Sequence, residues 1–474
     1  MPKSSSKGNE KKSAASKANA KPKAAKPKSA TPKVSSSKAA AKPKSTDKKT
    51  KKSTENKGSA EPVDAETKDL EERLAEQLHA ASRSRYDVPS SPLTAISTND
   101  KILGLIYGSV LGDCIGNLMC KAKSKITPIN DIKEQKVLEW TDTSDQLLLM
   151  LQTFTVRGGM SAFDFVGRLA SWAKQLKKMK RGIKDIITSD VVNDAEYAVK
   201  NVEIATKYEE KYKKGKNPQR SYSNGAIKRT AVCGIFGSWD DAAVTQCMST
   251  HTSNGCIASC LIISACVRNI ILGHRFHVGE VASEIMNMVI QSGKLTEEKH
   301  VKEMIVYTSH NMCENLEQIN LGGDDKKEWS STFKCMAAGL WGLHRAIVVE
   351  GKAEAVDVFK SIIFDIANEG GDANSNCAVA GALVGCLVGY KNLPREWIAK
   401  LGKNRYLYGQ SIELLKSLHL IEVINDPNLP VGSGPPGGDP RYAAESGSAT
   451  KSRTVESGSP AANGSGTEKT EEKK

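Results

Sequence analysis

The sequence predicts an all-α protein, with one large domain carried between two extensions that have no core of their own. Three observations predict it. From Asn99 to about Ile424, apolar runs of helical length recur between polar turns while strand-like alternation is scarce. That stretch is long enough to close a large hydrophobic core. Outside it the composition turns to Lys, Ala, Ser and Pro on one side and to Gly, Ser, Pro and charge on the other.

Residues 1–62 form the basic extension. Residues 1–60 hold 18 Lys, no Arg and three acidic residues, Glu10, Asp47 and Glu55, for a charge of +15. The whole chain carries +14, so the rest is about neutral and all of the basicity lies in this segment. With no aromatic residue it lacks the apolar surface that offsets the entropy of ordering, and the expectation is disorder. Such a Lys tract is suited to nucleic acid or another polyanion through counterion release, without reading sequence. A solvating or targeting extension is the alternative. Lys48-Lys49-Thr50-Lys51-Lys52 fits a nuclear localisation signal, and no secretory or transit segment is present, so a nuclear or cytoplasmic location is expected.

Residues 63–98 are read as an amphipathic helix and linker, with Leu70, Leu74 and Leu78 on one stripe. The main domain is placed at 99–424. Its opening helix carries Gly104, Gly108, Gly112 and Gly116 every fourth residue, on one face, each costing a helix about 1 kcal/mol relative to Ala. Either a close helix partner or a ligand approaching near Gly112 and Asp113 must compensate. Further helices are predicted at Ala162–Leu176, Ala195–Tyr212, Val278–Ile290 and Ala353–Ala367. Cys256, Cys260 and Cys266 fall in an apolar helix as small hydrophobes, and the eleven Cys show no zinc spacing. That apolar stretch, read as stopping at Arg268, is too short for a bilayer, so no membrane partner is expected. Residues 425–474 are read as a second disordered tail.

Two polar clusters precede long apolar helices: Trp140-Thr141-Asp142-Thr143-Ser144-Asp145-Gln146 and Gly370-Gly371-Asp372-Ala373-Asn374-Ser375-Asn376. One reading is helix capping, by Ser144 or Asp145 ahead of Leu147, and by Asn374, Ser375 or Asn376 ahead of a helix from Cys377 to Gly389, with Gly370 and Gly371 making the turn. The other is a shared cation site, because Asp beside hydroxyls is what hard divalent ions prefer.

Together the clusters resemble the paired metal-binding signatures of the ADP-ribosylglycohydrolase family, usually written W-T-D-D-T and G-G-D-x-D-T. The opening helix with its Gly112-Asp113-Cys114-Ile115-Gly116 is similar to the family's G-D-x-x-G. Ser223-Asn224-Gly225-Ala226-Ile227-Lys228-Arg229 is similar to S-N-G-x-x-x-R, Thr250-His251 to T-H, and Pro394 to Trp397 to P-x-x-W. Phe333-Lys334-Cys335 with Trp341 resembles a segment of eukaryotic members. These matches are collinear over about residues 99–400.

The resemblance implies an orthogonal multi-helix ADP-ribosylglycohydrolase-like domain. In it, two magnesium ions at the centre bind ribose hydroxyls and order the water that cleaves ADP-ribose from a modified side chain. Carried over, Asp142 and Asp372 are the candidate catalytic residues, with Thr141, Asp142, Asp372 and Ser375 the candidate metal ligands. Asp113 at the site mouth, Ser223, Asn224, Gly225, Arg229 toward phosphate, His251, Gly370 and Gly371 are the candidate ADP-ribose contacts. The pattern is broken: Thr143 and Asn374 stand where the family has Asp, and Cys120-Lys121 where members usually place a Glu. Thr and Asn donate neutral oxygens but do not balance divalent charge, so at most one magnesium is expected. Asp145, one turn from Asp142, does not repair the loss. Lys228 departs from the apolar residue usual before Arg229.

Three readings follow. The first is a degenerate family member, a pseudoenzyme whose pocket recognises ADP-ribose, an ADP-ribosylated protein or a related nucleotide. The second is a working magnesium-dependent ADP-ribosyl hydrolase. The third is a scaffold tethered to polyanions by residues 1–60.

Overall fold

The structure, a computed structural model, describes residues 96–121, 131–291 and 298–420. The predicted helix at 63–98 lies almost wholly outside these residues, as do both extensions. The longer helices are α1 (Thr98–Lys121), α2 (Asp142–Arg157), α3 (Ala162–Lys178), α4 (Ile186–Val192), α5 (Asn201–Lys213), α6 (Trp239–Met248), α7 (Asn254–Leu272), α8 (Val278–Gln291), α9 (Glu298–Tyr307), α10 (Thr332–Val348), α11 (Ala355–Glu369), α12 (Ala373–Val388) and α13 (Asn404–Ser417). No strand occurs among the described residues beyond the isolated bridges Leu138 to Leu401 and Ser223 to Ser331.

The seam that organises the domain is α1 against α12, and the glycine ladder explains it. A β-carbon on Gly104, Gly108, Gly112 or Gly116 would run into the carbonyl oxygen of Gly385, Gly381, Cys377 or Ala373, in that order. Gly381 and Gly385 return the same contact onto Gly108 and Gly104. The helices therefore touch backbone to backbone, and the packing gained offsets the weak helix propensity of glycine. All four glycines, Gly112 included, face a protein partner, so the ladder is a packing device and not a ligand approach.

Around this seam one continuous core closes, with Phe154, Trp172, Phe333, Phe359 and Tyr390 among its largest buried side chains. Trp397 packs on Phe359 and Phe364, with ring centroids 6.2 and 5.4 Å away. α7 extends past Arg268 to Leu272. By length and composition α1 and α7 are each long and apolar enough to cross a membrane, contrary to the expectation for α7, but both are mostly buried inside the domain. Cys256, Cys260 and Cys266 are buried on α7 as small apolar groups. Lys101 reaches from α1 to donate to the Ile270 carbonyl at 2.8 Å, a cation at the C-terminal end of α7.

Two boundaries differ from the sequence reading. The stretch predicted as one helix from Ala195 begins as a turn, and α5 starts at Asn201. The turn is held by the Asp194 carboxylate, which accepts from the Glu196 amide and from the Lys207 and Tyr208 side chains. α12 starts at Ala373, four residues before the predicted Cys377, so the polar cluster is its first turn rather than its cap.

Candidate functional site

The first cluster opens α2. Thr141 is extended, with φ −108° and ψ −169°, and caps the helix by accepting from the Thr143 amide at 3.2 Å. The cap is thus Thr141, not Ser144 or Asp145, because helical geometry already begins at Asp142. Asp113 of α1 fixes this turn. Its carboxylate accepts from the Thr141 amide and hydroxyl and from the Ser144 amide and hydroxyl, at 2.7 to 3.1 Å. Burial pushes the Asp113 carboxyl up while these donors pull it back. Asp113, placed by the resemblance at the site mouth, is completely buried and organises the loop from inside. Asp145 is turned away from Asp142, since its carboxylate accepts from the indoles of Trp140 at 2.8 Å and Trp172 at 3.3 Å.

The second cluster opens α12. Gly370 and Gly371 have φ of +81° and +66°, the left-handed region that glycine adopts without strain, so they make the predicted turn. Asp372 occupies the N-cap position, yet its side chain makes no capping bond. It accepts instead from the Asn224 side-chain amide at 2.9 Å.

The two clusters meet. The Asn374 amide nitrogen donates to Thr143 Oγ1 at 3.1 Å and to Thr141 Oγ1 at 3.2 Å. The two positions where the family pattern has Asp therefore bond to each other. Two carboxylates this close need a cation between them, whereas an amide and a hydroxyl satisfy one another directly. The Asn374 carbonyl oxygen accepts from Lys184 Nζ at 3.0 Å, and Cys120 Sγ lies 3.9 Å from the same oxygen. Cys120 thus faces the centre from the position where a Glu was expected.

The third contributor is the segment 223–229. Lys228 sends its ammonium to Asp142 Oδ2 at 3.0 Å, with the two side chains only 1% and 4% exposed. Burial by itself lowers a lysine, but Asp142, Asp185 and Asp372 outweigh it and hold Lys228 above its ordinary value, fully charged. This lysine is the residue that broke the apolar pattern in the sequence.

Arg229 points elsewhere. Its guanidinium donates to Gln246 Oε1 and its carbonyl, to Gln146 Oε1, to the Gly225 carbonyl and to Thr250 Oγ1, at 2.6 to 3.1 Å. Five donors meet five acceptors in the interior, so Arg229 ties the segment to α2 and α6 and has no N–H left for phosphate. Gly225 also serves the protein itself, because a β-carbon there would strike the Asp185 carboxylate and Thr188 hydroxyl.

His251 lies in the same buried shell. Its Nε2 is 3.0 Å from Ser223 Oγ and 3.4 Å from Asp185 Oδ1, and its Nδ1 is 2.7 Å from Thr250 Oγ1. The neighbours define the tautomer, with Nε2–H donating and Nδ1 accepting from Thr250. A catalytic relay needs serine and carboxylate on opposite ring nitrogens, and here both share Nε2. Burial lowers the His251 pKa, while the Asp185 carboxylate pulls it back up. Burial alone would raise the Asp185 carboxyl. The hydrogen bond from His251 and the positive charge near it, Lys228 included, hold it well below the usual carboxylate range.

The donor set does not fit the magnesium site that the resemblance implies. Asp142 is engaged by an ammonium and Asp372 by an amide N–H, while Thr141 Oγ1 is shared among Asp113, Thr143 and Asn374. Ser375 Oγ is buried without a protein partner but is a neutral oxygen. Among the described residues, no three His, Cys, Asp or Glu side chains are grouped to hold a metal ion. A fixed cation against the principal carboxylate opposes a second, divalent one.

With this geometry in place, comparison with known proteins gives the class. A profile of the ADP-ribosylglycohydrolase family matches residues 94–427, and the chain belongs to that family. It is 22% identical to an ADP-ribosylarginine hydrolase of Serratia proteamaculans over 317 residues, covering 64% of this chain and 75% of the relative. To an ADP-ribosylarginine hydrolase of Pseudomonas putida it is 22% identical over 354 residues, covering 70% and 85%. An ADP-ribosyl-[dinitrogen reductase] glycohydrolase of Rhodospirillum rubrum is 21% identical, with 65% and 92% covered. A solved structure described as an ADP-ribosylglycohydrolase-related protein complex aligns with a TM-score of 0.42 at 18% identity, over 68% of this chain and 99% of that one.

Sequence reasoning named the two clusters but missed Asp185 and Lys184, and it noted Lys228 only as a departure. A charged residue in an otherwise apolar position was the available signal for Lys228. Asp185 carried none, since an Asp before Ile186 reads as a helix cap, which it also is: Oδ1 accepts from the Thr188 amide at 2.6 Å.

Proposed function

We propose that this family member is hydrolytically silent and metal-independent, and that its centre recognises ADP-ribose, free or on a modified protein, or a related nucleotide. The observation that carries this reading is the Lys228 ammonium on Asp142 beside the Asn224 amide on Asp372. These are the two carboxylates that would have to hold metal and direct water. Loss of catalysis does not require loss of recognition. Asn224 Oδ1 and Ser375 Oγ are buried without protein partners, which leaves hydrogen-bonding capacity for a polar ligand. Asp372, Gly370 and Gly371 are partly exposed, and Lys184 is exposed, so the rim offers both a carboxylate and a cation. The relatives act, by their names, on ADP-ribosylarginine and on ADP-ribosylated dinitrogen reductase, which makes an ADP-ribosylated protein the natural partner class.

Calorimetric titration with ADP-ribose, with and without magnesium, tests the proposal. Saturable binding unchanged by magnesium is expected, together with no release of ADP-ribose from an ADP-ribosylarginine substrate. Magnesium-dependent release that Asp372→Ala abolishes would establish a working hydrolase and end this reading. The Lys-rich residues 1–60 are read separately as a polyanion-binding arm, whose affinity for nucleic acid should fall steeply with salt and vanish on their deletion.

A further inference from the structure

We infer that Lys228 is a built-in cation occupying the electrostatic role of a metal ion, and that beneath it the chain keeps a latent divalent site which removal of this one side chain would open. The inference rests on reading the centre as metal-free, and it concerns only what Lys228 displaces.

The charges show why one lysine suffices. The Lys228 ammonium bonds Asp142 Oδ2 at 3.0 Å inside the protein, and Asp185 and Asp372 lie near enough to add to the attraction without contacting it. Left alone, a buried carboxylate is either protonated or neutralised by a captured cation. Lys228 bonds to Asp142 directly at 3.0 Å and is nearly inaccessible to water. An ammonium on a flexible stem is compact, carries one charge and needs no vacant coordination position. A divalent ion in the same place would meet it at close range.

The neighbouring substitutions fit the same account. Thr143 and Asn374 remove two negative charges and bond to one another, which matches a centre balanced by one internal cation instead of four metal charges. At the rim, Lys184 places a second ammonium 3.0 Å from Asn374 Oδ1. Asp142, Asp372 and the Ser375 hydroxyl persist as hard oxygen groups, the type that Mg2+ and Mn2+ take. Without the lysine, Asp142 loses the cation it contacts and Asp185 a nearby positive charge, which leaves buried negative charge to attract another cation.

The test uses the full chain and metal alone. Mn2+ binding would be measured by electron paramagnetic resonance, with thermal unfolding followed in Mg2+, Mn2+ and NaCl of matched ionic strength. Wild type, Lys228→Met, and Lys228→Met with Asp142→Asn would be compared. Wild type is expected to show no saturable Mn2+ site and no divalent-specific stabilisation. Lys228→Met should bind Mn2+ about tenfold or more tightly relative to wild type, and regain in divalent metal the melting temperature it loses in NaCl. The double variant, which gives up the pair together, should fold without metal and bind Mn2+ no better than wild type. The inference is overturned if wild type holds Mn2+ stoichiometrically, or if Lys228→Met gains none. It is also overturned if Lys228→Met is insoluble with and without metal beside a soluble double variant. Failure of ADP-ribose to bind would remove the recognition reading and leave this one intact, because no nucleotide enters the experiment.

Discussion

The α1–α12 seam and the polar centre at its end are adjacent, yet they tolerate change in different ways. Along the seam, Gly104, Gly108 and Gly112 lie on the backbone of Gly385, Gly381 and Cys377, where there is no side chain to repack. In the centre, contacts run between side chains of four segments, and the three residues that depart from the family pattern, Thr143, Asn374 and Lys228, all find partners there. Thr143 meets Asn374, Lys228 meets Asp142 and Asn224 meets Asp372. The difference teaches that backbone sterics lock an architecture, while electrostatic balance can be met by more than one set of residues. The fold of the family is therefore kept while the residues at its centre depart from the family pattern.

The contrast breaks most directly at Gly112. Gly112→Val should destabilise by at least about 4 kcal/mol or abolish soluble expression, since the Cys377 carbonyl cannot move without moving α12. Gly159→Ala, with nothing near its β-carbon position, should stay within about 0.5 kcal/mol in the same urea titration. A similar loss for both would show that the seam is not a steric lock.

Next comes Lys228→Met, which strands buried Asp142 and should lose about 3–5 kcal/mol in denaturant unfolding. Adding Asp142→Asn should recover much of it, and additive losses would mean the two side chains are not coupled.

Asp185→Asn should lose about 1–3 kcal/mol at neutral pH, because His251 and the Thr188 amide keep a poorer acceptor. Its folded pKa lies below the unfolded value of about 3.9, so its contribution is complete above that pH and is lost as pH falls through the folded value. The variant should accordingly show a shallower acid limb in a pH series of melting temperatures, and an unchanged limb would deny the depressed pKa.

Thr143→Asp with Asn374→Asp restores the family's charge at the point where the clusters meet. It should raise magnesium affinity only about tenfold while Lys228 stays in place. An unchanged calorimetric isotherm would count against the clusters as a cation-binding centre. The smallest effect belongs to the ordinary cap Ser161→Ala on α3, about 1 kcal/mol by thermal unfolding.

Much of the fold was legible because helices declare themselves locally. The apolar periodicity placed α3, α8 and α11 to within a few residues, and the glycine spacing of α1 announced a close partner. Boundaries failed where a polar side chain had two possible employers. The Asn374 to Asn376 run read as a cap but lies inside α12, because Asn374 bonds across to Thr143 rather than to its own helix. The family resemblance implies a phosphate contact for Arg229, yet the interior provides acceptors for all its donors.

The sequence by itself determined the all-helical class, the family, the two clusters and the absence of two of their carboxylates. These are matters of residue type, spacing and local period, and each can be read along the chain. Only the tertiary structure decided what balances the charge left behind. Lys228 and Asp142 are 86 positions apart, Asn224 and Asp372 148, and Thr143 and Asn374 231. Whether a buried carboxylate faces a metal, an ammonium or an amide is set by which side chains share a low-dielectric volume, and folding alone brings those together.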